Sequence, residues 1–362
     1  MTPATHPLWS TAAKGLKRRG RENLLLESAA LARGLSTVRV GSRAFIAADE
    51  AHDQRIGFHQ TLSLKSSRAA VRAWEDRLLR REHLRAADLP LPASQRVSLE
   101  DTDEIRRIAA GWEHGALLKP VIRAAGALTR RPTEGEDPLD HDIARWQDRA
   151  RPATQFLVEQ RITGREYHFL VAENQVASVI RRRGRRWGAE IWRADEPSST
   201  VHPEVLDLAV RTLAALPQSG HGVVRMICPS PATGTEGCVV VSAGPDVAFV
   251  GPRVPREWSI RTADALVGAA VGWAGVNGAS GEDRHIRFTL TDVLAPEQLA
   301  RALQDHATLR EFTLDVDALD SQTLGGSVQA APQELALLSG LLTTRRLAGE
   351  VPQTVRFDQD GG

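Results

Sequence analysis

The segment FLVEQRITGREYHFLVAENQVASVIRRR, residues 156–183, constrains the fold more than any other part of the chain. Its apolar runs are separated by polar turn residues. The pattern predicts a strand, a tight connection, a long strand, a turn at Glu173-Asn174 and a further strand. Strands joined by such short connections pair antiparallel. With helical segments on both sides, this array predicts an α+β fold.

The helical segments are the next clear signal. Residues 66–87 have an apolar face with acidic residues before basic ones on the other side, so we expect one helix there. Residues 202–217 predict an amphipathic helix with proline in its first turn. GALLKP, residues 115–120, predicts a buried strand, and residues 121–153 predict a lid or mobile loop because they lack periodicity.

These patterns predict three domains. Residues 1–65 carry a helix and short strands and form an N-terminal α/β unit. Residues 66–280 form a central domain with two lobes. Residues 281–362 alternate strands and helices in the order β-α-β-α-β, which predicts a separate C-terminal appendage without a catalytic motif.

Composition disfavours several classes of function. The net charge of +1 gives no general reason to expect nucleic acid or an acidic membrane surface as partner. The N-terminal segment lacks the apolar stretch of a signal peptide, and no later stretch is long enough to span a bilayer, so we expect a cytoplasmic protein. Cys228 and Cys238 flank a predicted hairpin loop. Buried thiols are favoured, although the sequence leaves open whether the two pair.

Lysine is rare in this chain. It stands only at positions 14, 17, 65 and 119, among 46 lysines and arginines in all. Such a bias indicates that arginine serves wherever only a positive charge matters. Lys119 ends a predicted buried strand, where a compact ammonium group and a planar guanidinium are not interchangeable. Lys119 is therefore a candidate functional residue, with an ordinary strand-end lysine as the alternative.

The order of elements from 66 to 250 resembles the ATP-grasp ligases, in particular cyanophycin synthetases and bifunctional glutathione synthetases. FLVEQRITGREY is similar to that family's hinge motif V-E-x-x-I-x-G-R-E-Y, and GALLKP is similar to its V-K-P strand. The resemblance clearly covers about half of the chain. It implies an ATP-grasp fold with a reduced N-terminal unit, and ATP as the ligand.

The resemblance implies roles for single residues in nucleotide binding. Lys119 would contact the ATP phosphates. Arg77 and Arg81 stand where the family has basic residues that hold phosphate, although a solvated basic helix face explains them equally well.

The hinge motif implies a further set of contacts. The strand at Val158 would line the adenine, Glu159 would lie near its exocyclic amine, and Glu166 would accept hydrogen bonds from the ribose hydroxyls. Gly164 would let the connection between the strands turn tightly.

A third part of the resemblance concerns an arginine at a strand end. Arg182 would lie near the phosphates or the acyl intermediate, as a catalytic residue. The run 181–186 that contains it could instead contact a nucleic-acid backbone, which the low net charge disfavours.

The metal-binding part of the family pattern is missing. ATP-grasp ligases hold magnesium with carboxylates on two strands, G-V-D and E-x-N. Here Arg225 replaces the first acid, Val240 and Ser242 stand at the Glu and Asn positions, and no register supplies an acid. Only Asp246 and Glu236, in loops, could compensate. Because Mg²⁺ prefers hard oxygen ligands, we expect weak or no Mg²⁺ binding. Arg225, a second catalytic candidate, could supply one metal's charge but not its octahedral geometry.

Three functions stay open at this point. The chain could be an active ATP-dependent carboxylate–amine ligase of a biosynthetic pathway. It could be an inactive pseudo-ligase that acts as a binding or partner protein. It could also use the same cleft for acyl transfer without a metal. The resemblance implies a nucleotide and a small carboxylate, amine or peptide as ligands, neither nucleic acid nor membrane as partner, and allows a homodimer.

Overall fold

The computed structural model divides the chain into two compact units. The first unit combines Met1–Lys65 with Asp246–Gly362, and the second is Ser66–Pro245. The structure describes residues 6–49, 53–122, 137–148, 154–186, 189–192, 200–217, 220–245, 247, 249–250, 254–276, 284–344, 346–349 and 351–359.

Helices and strands alternate through both units. The α-helices are α1 Arg18–Ala32, α2 Arg68–Glu75, α3 Arg77–Ala86, α4 Thr102–Ala110, α5 Pro138–Gln147, α6 Pro203–Ala214, α7 Arg256–Ala274, α8 Pro296–Arg310 and α9 Pro332–Leu342. The strands are β1 Ser36–Val40, β2 Ala44–Asp49, β3 Gln54–His59, β4 Leu62–Ser63, β5 Ser94–Val97, β6 Ala116–Pro120, β7 Phe156–Gln160, β8 Arg165–Ala172, β9 Gln175–Arg186, β10 Ala189–Trp192, β11 His221–Cys228, β12 Val239–Gly244, β13 Arg284–Thr291, β14 Thr313–Leu319, β15 Thr323–Ala330 and β16 Thr354–Gln359. This mixture of helices and antiparallel strands is the predicted α+β class.

The first unit is built on one eight-stranded sheet. Its strand order is β14-β15-β13-β16-β1-β2-β3-β4, so β16 lies between β13 and the N-terminal strand β1. This arrangement differs from the prediction that residues 1–65 and 281–362 form separate units. β1 would be an edge strand in an isolated N-terminal unit, and its free N–H and C=O groups pair with β16 instead. Helix α7, predicted in the central domain, also belongs to this unit and packs on α1.

A buried ion pair links the N-terminal and C-terminal parts of the first unit. The guanidinium of Arg39 in β1 donates to Glu27 of α1 at 2.8 Å and to the Asn23 side-chain oxygen at 2.9 Å. Ser339 of α9 donates to the same Glu27 carboxylate at 2.7 Å. Arg39 and Glu27 are fully buried, and a buried charge is tolerated only when its partners are in place.

The second unit contains two antiparallel sheets. The five-stranded sheet has the order β10-β9-β8-β11-β12, and the three-stranded sheet has the order β5-β7-β6. Helix α6 packs on the former, and α4 and α5 pack on the latter. The predicted turn between β8 and β9 is confirmed: Glu173 and Asn174 both have positive φ angles, 49° and 58°, as a two-residue hairpin turn requires.

The helix predicted at 66–87 is two helices. Asp76 interrupts it with φ −82° and ψ 112°, and its carboxylate caps α3 by accepting from the N–H groups of Leu78 and Leu79. An aspartate competes for backbone donors in this way, which is why it begins helices more readily than it continues them. The interruption positions Arg77 and Arg81 on a separate helix.

β15 and α5 are among the elements that the sequence patterns missed. β15 contains Gly325 and Gly326, which strands usually avoid; a Cβ at Gly326 would lie 1.9 Å from the carbonyl oxygen of Asp315 in β14, so this close pairing requires glycine. Helix α5 lies inside the segment predicted as a lid, of which residues 123–136 and 149–153 lie outside the described residues. Within the described part of the chain, no helix combines the length and apolar character needed to cross a membrane.

We predict that Arg39→Met lowers the free energy of unfolding by about 3–5 kcal/mol, because Glu27 stays buried without its cation. Equilibrium denaturation of the full chain measures the loss. Arg356→Met is the matched control, since Arg356 pairs with Asp358 at the surface, where an ion pair contributes about 0–1 kcal/mol. Equal losses in the two variants would contradict a structural role for the buried pair.

Candidate functional site

The three-stranded sheet of the second unit has one apolar face and one polar face. Phe156 and Val158 of β7 are buried in the core with α4 and α5. Side chains alternate along a strand, so Leu157 and Glu159 lie on the opposite face. Lys119 of β6 pairs directly with Leu157 and therefore shares that face. The Val158 side chain lies in the core and not on the face of Lys119, so any contact of Val158 with an adenine stays a prediction.

Glu159 is the centre of this polar face. It is 4% exposed, and its two carboxylate oxygens accept separately from the Lys119 ammonium group and from Arg81 Nη1, the latter at 2.8 Å. Arg81 also donates to the carbonyl oxygen of Pro92. The structure therefore brings Lys119, Glu159 and Arg81 together, but as partners of one another.

Arg77 completes what we call the Glu159 group: Arg77, Arg81, Lys119 and Glu159. The Arg77 backbone N–H donates to the Val121 carbonyl at 2.9 Å, and its guanidinium donates to the Pro120 carbonyl. Burial lowers the pKa of Lys119, the Glu159 carboxylate opposes this, and the charges of Arg77 and Arg225 lower that pKa further. A lysine surrounded by like charges is poised to gain an anionic partner.

The five-stranded sheet presents a second polar face. Tyr167, Phe169 and Val224 lie in its core with α6. Glu166 and His168 alternate with Tyr167 and Phe169 along β8, so they lie on the other face of the sheet. Arg225 of β11 pairs with His168 and shares that face.

Glu166 holds this second cluster together. It accepts from His168 Nε2 at 2.8 Å and from Arg182 Nη1 at 2.5 Å, and Arg225 Nη1 lies 3.8 Å away. We call Glu166, His168, Arg182 and Arg225 the Glu166 group. Burial by itself raises the pKa of Glu166, but the His168 hydrogen bond and the charges of Arg225 and Arg182 outweigh it and hold that pKa well below its usual value.

Gly164 permits the turn that leads into Glu166. Its φ of +139° is open to glycine, and a Cβ at this position would lie 2.7 Å from the side chain of Ile227. The tight connection predicted at Gly164 is confirmed.

Helix α3 connects the two sheets beside these groups. Arg77, in its first turn, contacts the end of β6 as described above. Arg80, one turn later, donates to the Trp74 carbonyl at 3.0 Å and lies 3.5 Å from the Ala243 carbonyl in β12. The charge of Arg225 also acts on Lys119. The Glu159 and Glu166 groups therefore form one candidate site within the second unit.

The residues of this site do not fit a magnesium ion. β11 and β12 contain no acid, Val240 is buried in the core, and Ser242 is the residue paired with Arg225. The pairing of β11 with β12 shifts register next to this pair, and the shift places Ser242 on the same face as Arg225. Ser242 has no carboxylate to offer a metal. Among the described residues, no three or more His, Cys, Asp or Glu side chains gather as metal ligands would.

Of the two compensating acids proposed from the sequence, the described one, Glu236, does not change this donor set. Glu236 is exposed in the loop between β11 and β12. That loop lies near the beginning of α6, where the His202 N–H donates to the Pro231 carbonyl at 2.7 Å, and α6 covers the core face of the sheet. Asp246 lies outside the described residues.

Two site residues escaped sequence reasoning. His168 lies two positions after Glu166, and this same-face spacing was the available signal. Asp142 of α5 lies near Lys119, and burial raises the pKa of Asp142 against the opposing charges of Arg145, His141 and Lys119. Because its segment shows no periodicity, no sequence signal pointed to Asp142.

The two cysteines are both free and buried at the loop between β11 and β12. The thiol of Cys238 donates to the Gly234 carbonyl at 3.7 Å, and a hydrogen bond between the two thiols raises the pKa of Cys228. They lie in the core of the five-stranded sheet, on the side away from the Glu166 group.

No protein-family profile and no curated protein sequence matches the chain. Solved structures of ATP-grasp ligases are similar to it. The ATP-grasp ligase PsnB complexed with minimal precursor shares 21% identity over 57% of this chain and 62% of its own, with a TM-score of 0.41. A bifunctional glutathione synthetase from Pasteurella multocida shares 13% identity over 68% of this chain and 43% of its own, with a TM-score of 0.45.

A third similar structure is a D-alanine–D-alanine ligase from Bacillus anthracis complexed with ATP. It shares 12% identity over 55% of this chain and 65% of its own, with a TM-score of 0.38. The chain thus spans less than two thirds of each of these three proteins. A similarity of this extent concerns part of the fold and assigns no activity.

We predict that Glu166→Gln lowers the free energy of unfolding at neutral pH by about 1–3 kcal/mol, because Arg182 and Arg225 lose a charged acceptor. The folded-state pKa of Glu166 is depressed, so its contribution is present above its ordinary pKa of 4.5 and is lost as the pH falls below that value. The difference between wild type and variant should therefore shrink with acidification.

Denaturation curves at a series of pH values measure this difference. Glu75→Gln is the control, since Glu75 forms only a surface pair with Arg72 at 3.7 Å. A difference between wild type and Glu166→Gln that is independent of pH would contradict the assigned cause.

Proposed function

We propose that the second unit is an ATP-grasp-type nucleotide-binding domain and that the chain acts through nucleotide binding. The observation that carries the proposal is the convergence of Lys119, Arg225, Arg182 and Glu166 on the polar faces of two sheets in one compact unit. Phosphate requires positive groups and ribose requires an acceptor, and this site offers both.

In the proposed complex the basic residues bind the phosphates. Lys119 and Arg77 would do so from the end of β6, and Arg225 and Arg182 from the five-stranded sheet. Glu166 would accept from the ribose hydroxyls, since a carboxylate with a depressed pKa stays an acceptor at neutral pH.

Glu159 has a different proposed role from the one the resemblance implies. Its two oxygens are engaged by Lys119 and Arg81. We propose that it orients the Lys119 ammonium toward the phosphates instead of contacting the adenine.

Binding without efficient phosphoryl transfer is the function the site supports best. In an ATP-dependent ligase, metal ions neutralise the charge that develops on the transferred phosphoryl group. Removing one preorganised electrostatic stabiliser costs about 10²–10³ in rate, and among the described residues β11 and β12 offer no carboxylate for the metal. Among the open alternatives we therefore favour a pseudo-ligase over an active carboxylate–amine ligase.

The ligands of similar solved structures suggest a second ligand besides the nucleotide. PsnB has been solved with a precursor peptide and with Mg and ADP. We propose a small carboxylate, amine or peptide as the second ligand of this chain, within a biosynthetic pathway and without nucleic acid. Metal-independent acyl transfer in the same cleft is the remaining catalytic alternative, and product analysis with acyl donors would reveal it.

We predict that the full chain binds ATP in calorimetric titrations and that Lys119→Ala weakens this binding by about 10- to 100-fold, because a charge-assisted contact to phosphate is lost. Lys65→Ala is the matched control. Lys65 belongs to the first unit, where it lies over the Trp273 ring, and its loss should leave the affinity unchanged. Equal affinity of wild type and Lys119→Ala would show that the site is misplaced.

A further inference from the structure

The candidate site has an excess of basic side chains. The Glu159 and Glu166 groups contain Arg77, Arg81, Lys119, Arg182 and Arg225, whereas the carboxylates found near them among the described residues are Glu159, Glu166 and Asp142. The Glu159 and Glu166 carboxylates already pair with these bases. An additional anion would therefore relieve repulsion among the cations.

Arg225 is more accessible than Lys119 and Arg182, the other two cations proposed here to bind phosphate beside it. Its side chain is 44% exposed, compared with 27% for Lys119 and 23% for Arg182. Its nearest approach to Glu166, 3.8 Å, is longer than a hydrogen bond. Its guanidinium is thus able to engage an incoming phosphate without giving up a hydrogen bond to Glu166.

The surroundings of Arg225 are unfavourable for a divalent cation. The residue opposite on β12 is Ser242, and neither strand offers a carboxylate. Magnesium requires an octahedral set of oxygen ligands, and Arg225 and Lys119 would repel it. Around Arg225 the described residues therefore offer basic side chains to a phosphate chain, and not the carboxylates that would hold a bridging metal.

We infer that this site binds the phosphate chain of a nucleoside di- or triphosphate as the metal-free anion, with Arg225 supplying positive charge on β11. The inference rests on the proposed nucleotide-binding function. It states that magnesium weakens nucleotide binding at this site, whereas a magnesium-requiring site binds more tightly when the ion is present. Mg²⁺ neutralises part of the phosphate charge and adds a cation facing Arg225, so it weakens binding.

The test is isothermal titration of the full chain with ATP, ADP and inorganic tripolyphosphate, each in EDTA and in excess MgCl₂. We expect ATP to bind at least about tenfold more tightly in EDTA, and affinity to fall with rising salt. ATP binding that requires Mg²⁺ would overturn the inference and leave the nucleotide-binding function standing.

Tripolyphosphate separates the two proposals. If it binds in EDTA as tightly as ATP, the metal-free phosphate site is supported, and the ribose contact proposed for Glu166 is overturned because ribose and base then add no affinity. If neither ligand binds under either condition, both proposals fail.

Substitutions of Arg225 test its assignment. Arg225→Gln should weaken metal-free ATP binding by about 10- to 100-fold, and Arg225→Lys should recover part of the loss. Arg211→Gln is the matched control, because Arg211 is an exposed arginine of the same unit that pairs with Asp207 at 2.7 Å. Unchanged metal-free affinity in Arg225→Gln, in a protein that melts like wild type, would overturn the role of Arg225.

Discussion

The buried carboxylate of Glu159 is the interaction on which the candidate site depends. It joins β7 to Lys119 of β6 and to Arg81 of α3, segments that are far apart in the chain. A carboxylate that is 4% exposed requires compensation, and only these two cations together occupy both of its oxygens. The same contacts set the direction of the Lys119 ammonium, which is the group that we propose for phosphate binding.

The candidate site has a positive excess charge among its described residues, because its two central carboxylates are already paired with basic side chains. Glu159 and Glu166 are committed to basic partners, and β11 and β12 carry Arg225 and Ser242 where a metal would need acids. Function therefore depends on a few side chains on a common kind of fold, and similarity of fold does not decide it.

Much of the local structure could be predicted from the sequence, because period and turn chemistry act over a few residues. The strands around Gly164, the turn at Glu173-Asn174 and the helix α6 all follow from such short-range rules. The errors have equally physical causes. A continuous helix was expected across Asp76 although an aspartate side chain can cap a new one. β15 was missed because Gly325 and Gly326 are selected by close strand contact.

The sequence by itself determined which residues were available: one lysine at the end of β6, two glutamates in a hinge-like segment, and two strands without an acid. Only the tertiary structure decided how they are used. Lys119 pairs with Glu159, the Val240 side chain is buried in the core, and Arg39 bonds to both α1 and α9. These contacts depend on strand register and on partners that are distant in the chain. Local sequence patterns do not predict these contacts, because the stabilising energy of the contacts comes from burial and pairing that exist only once the segments have assembled.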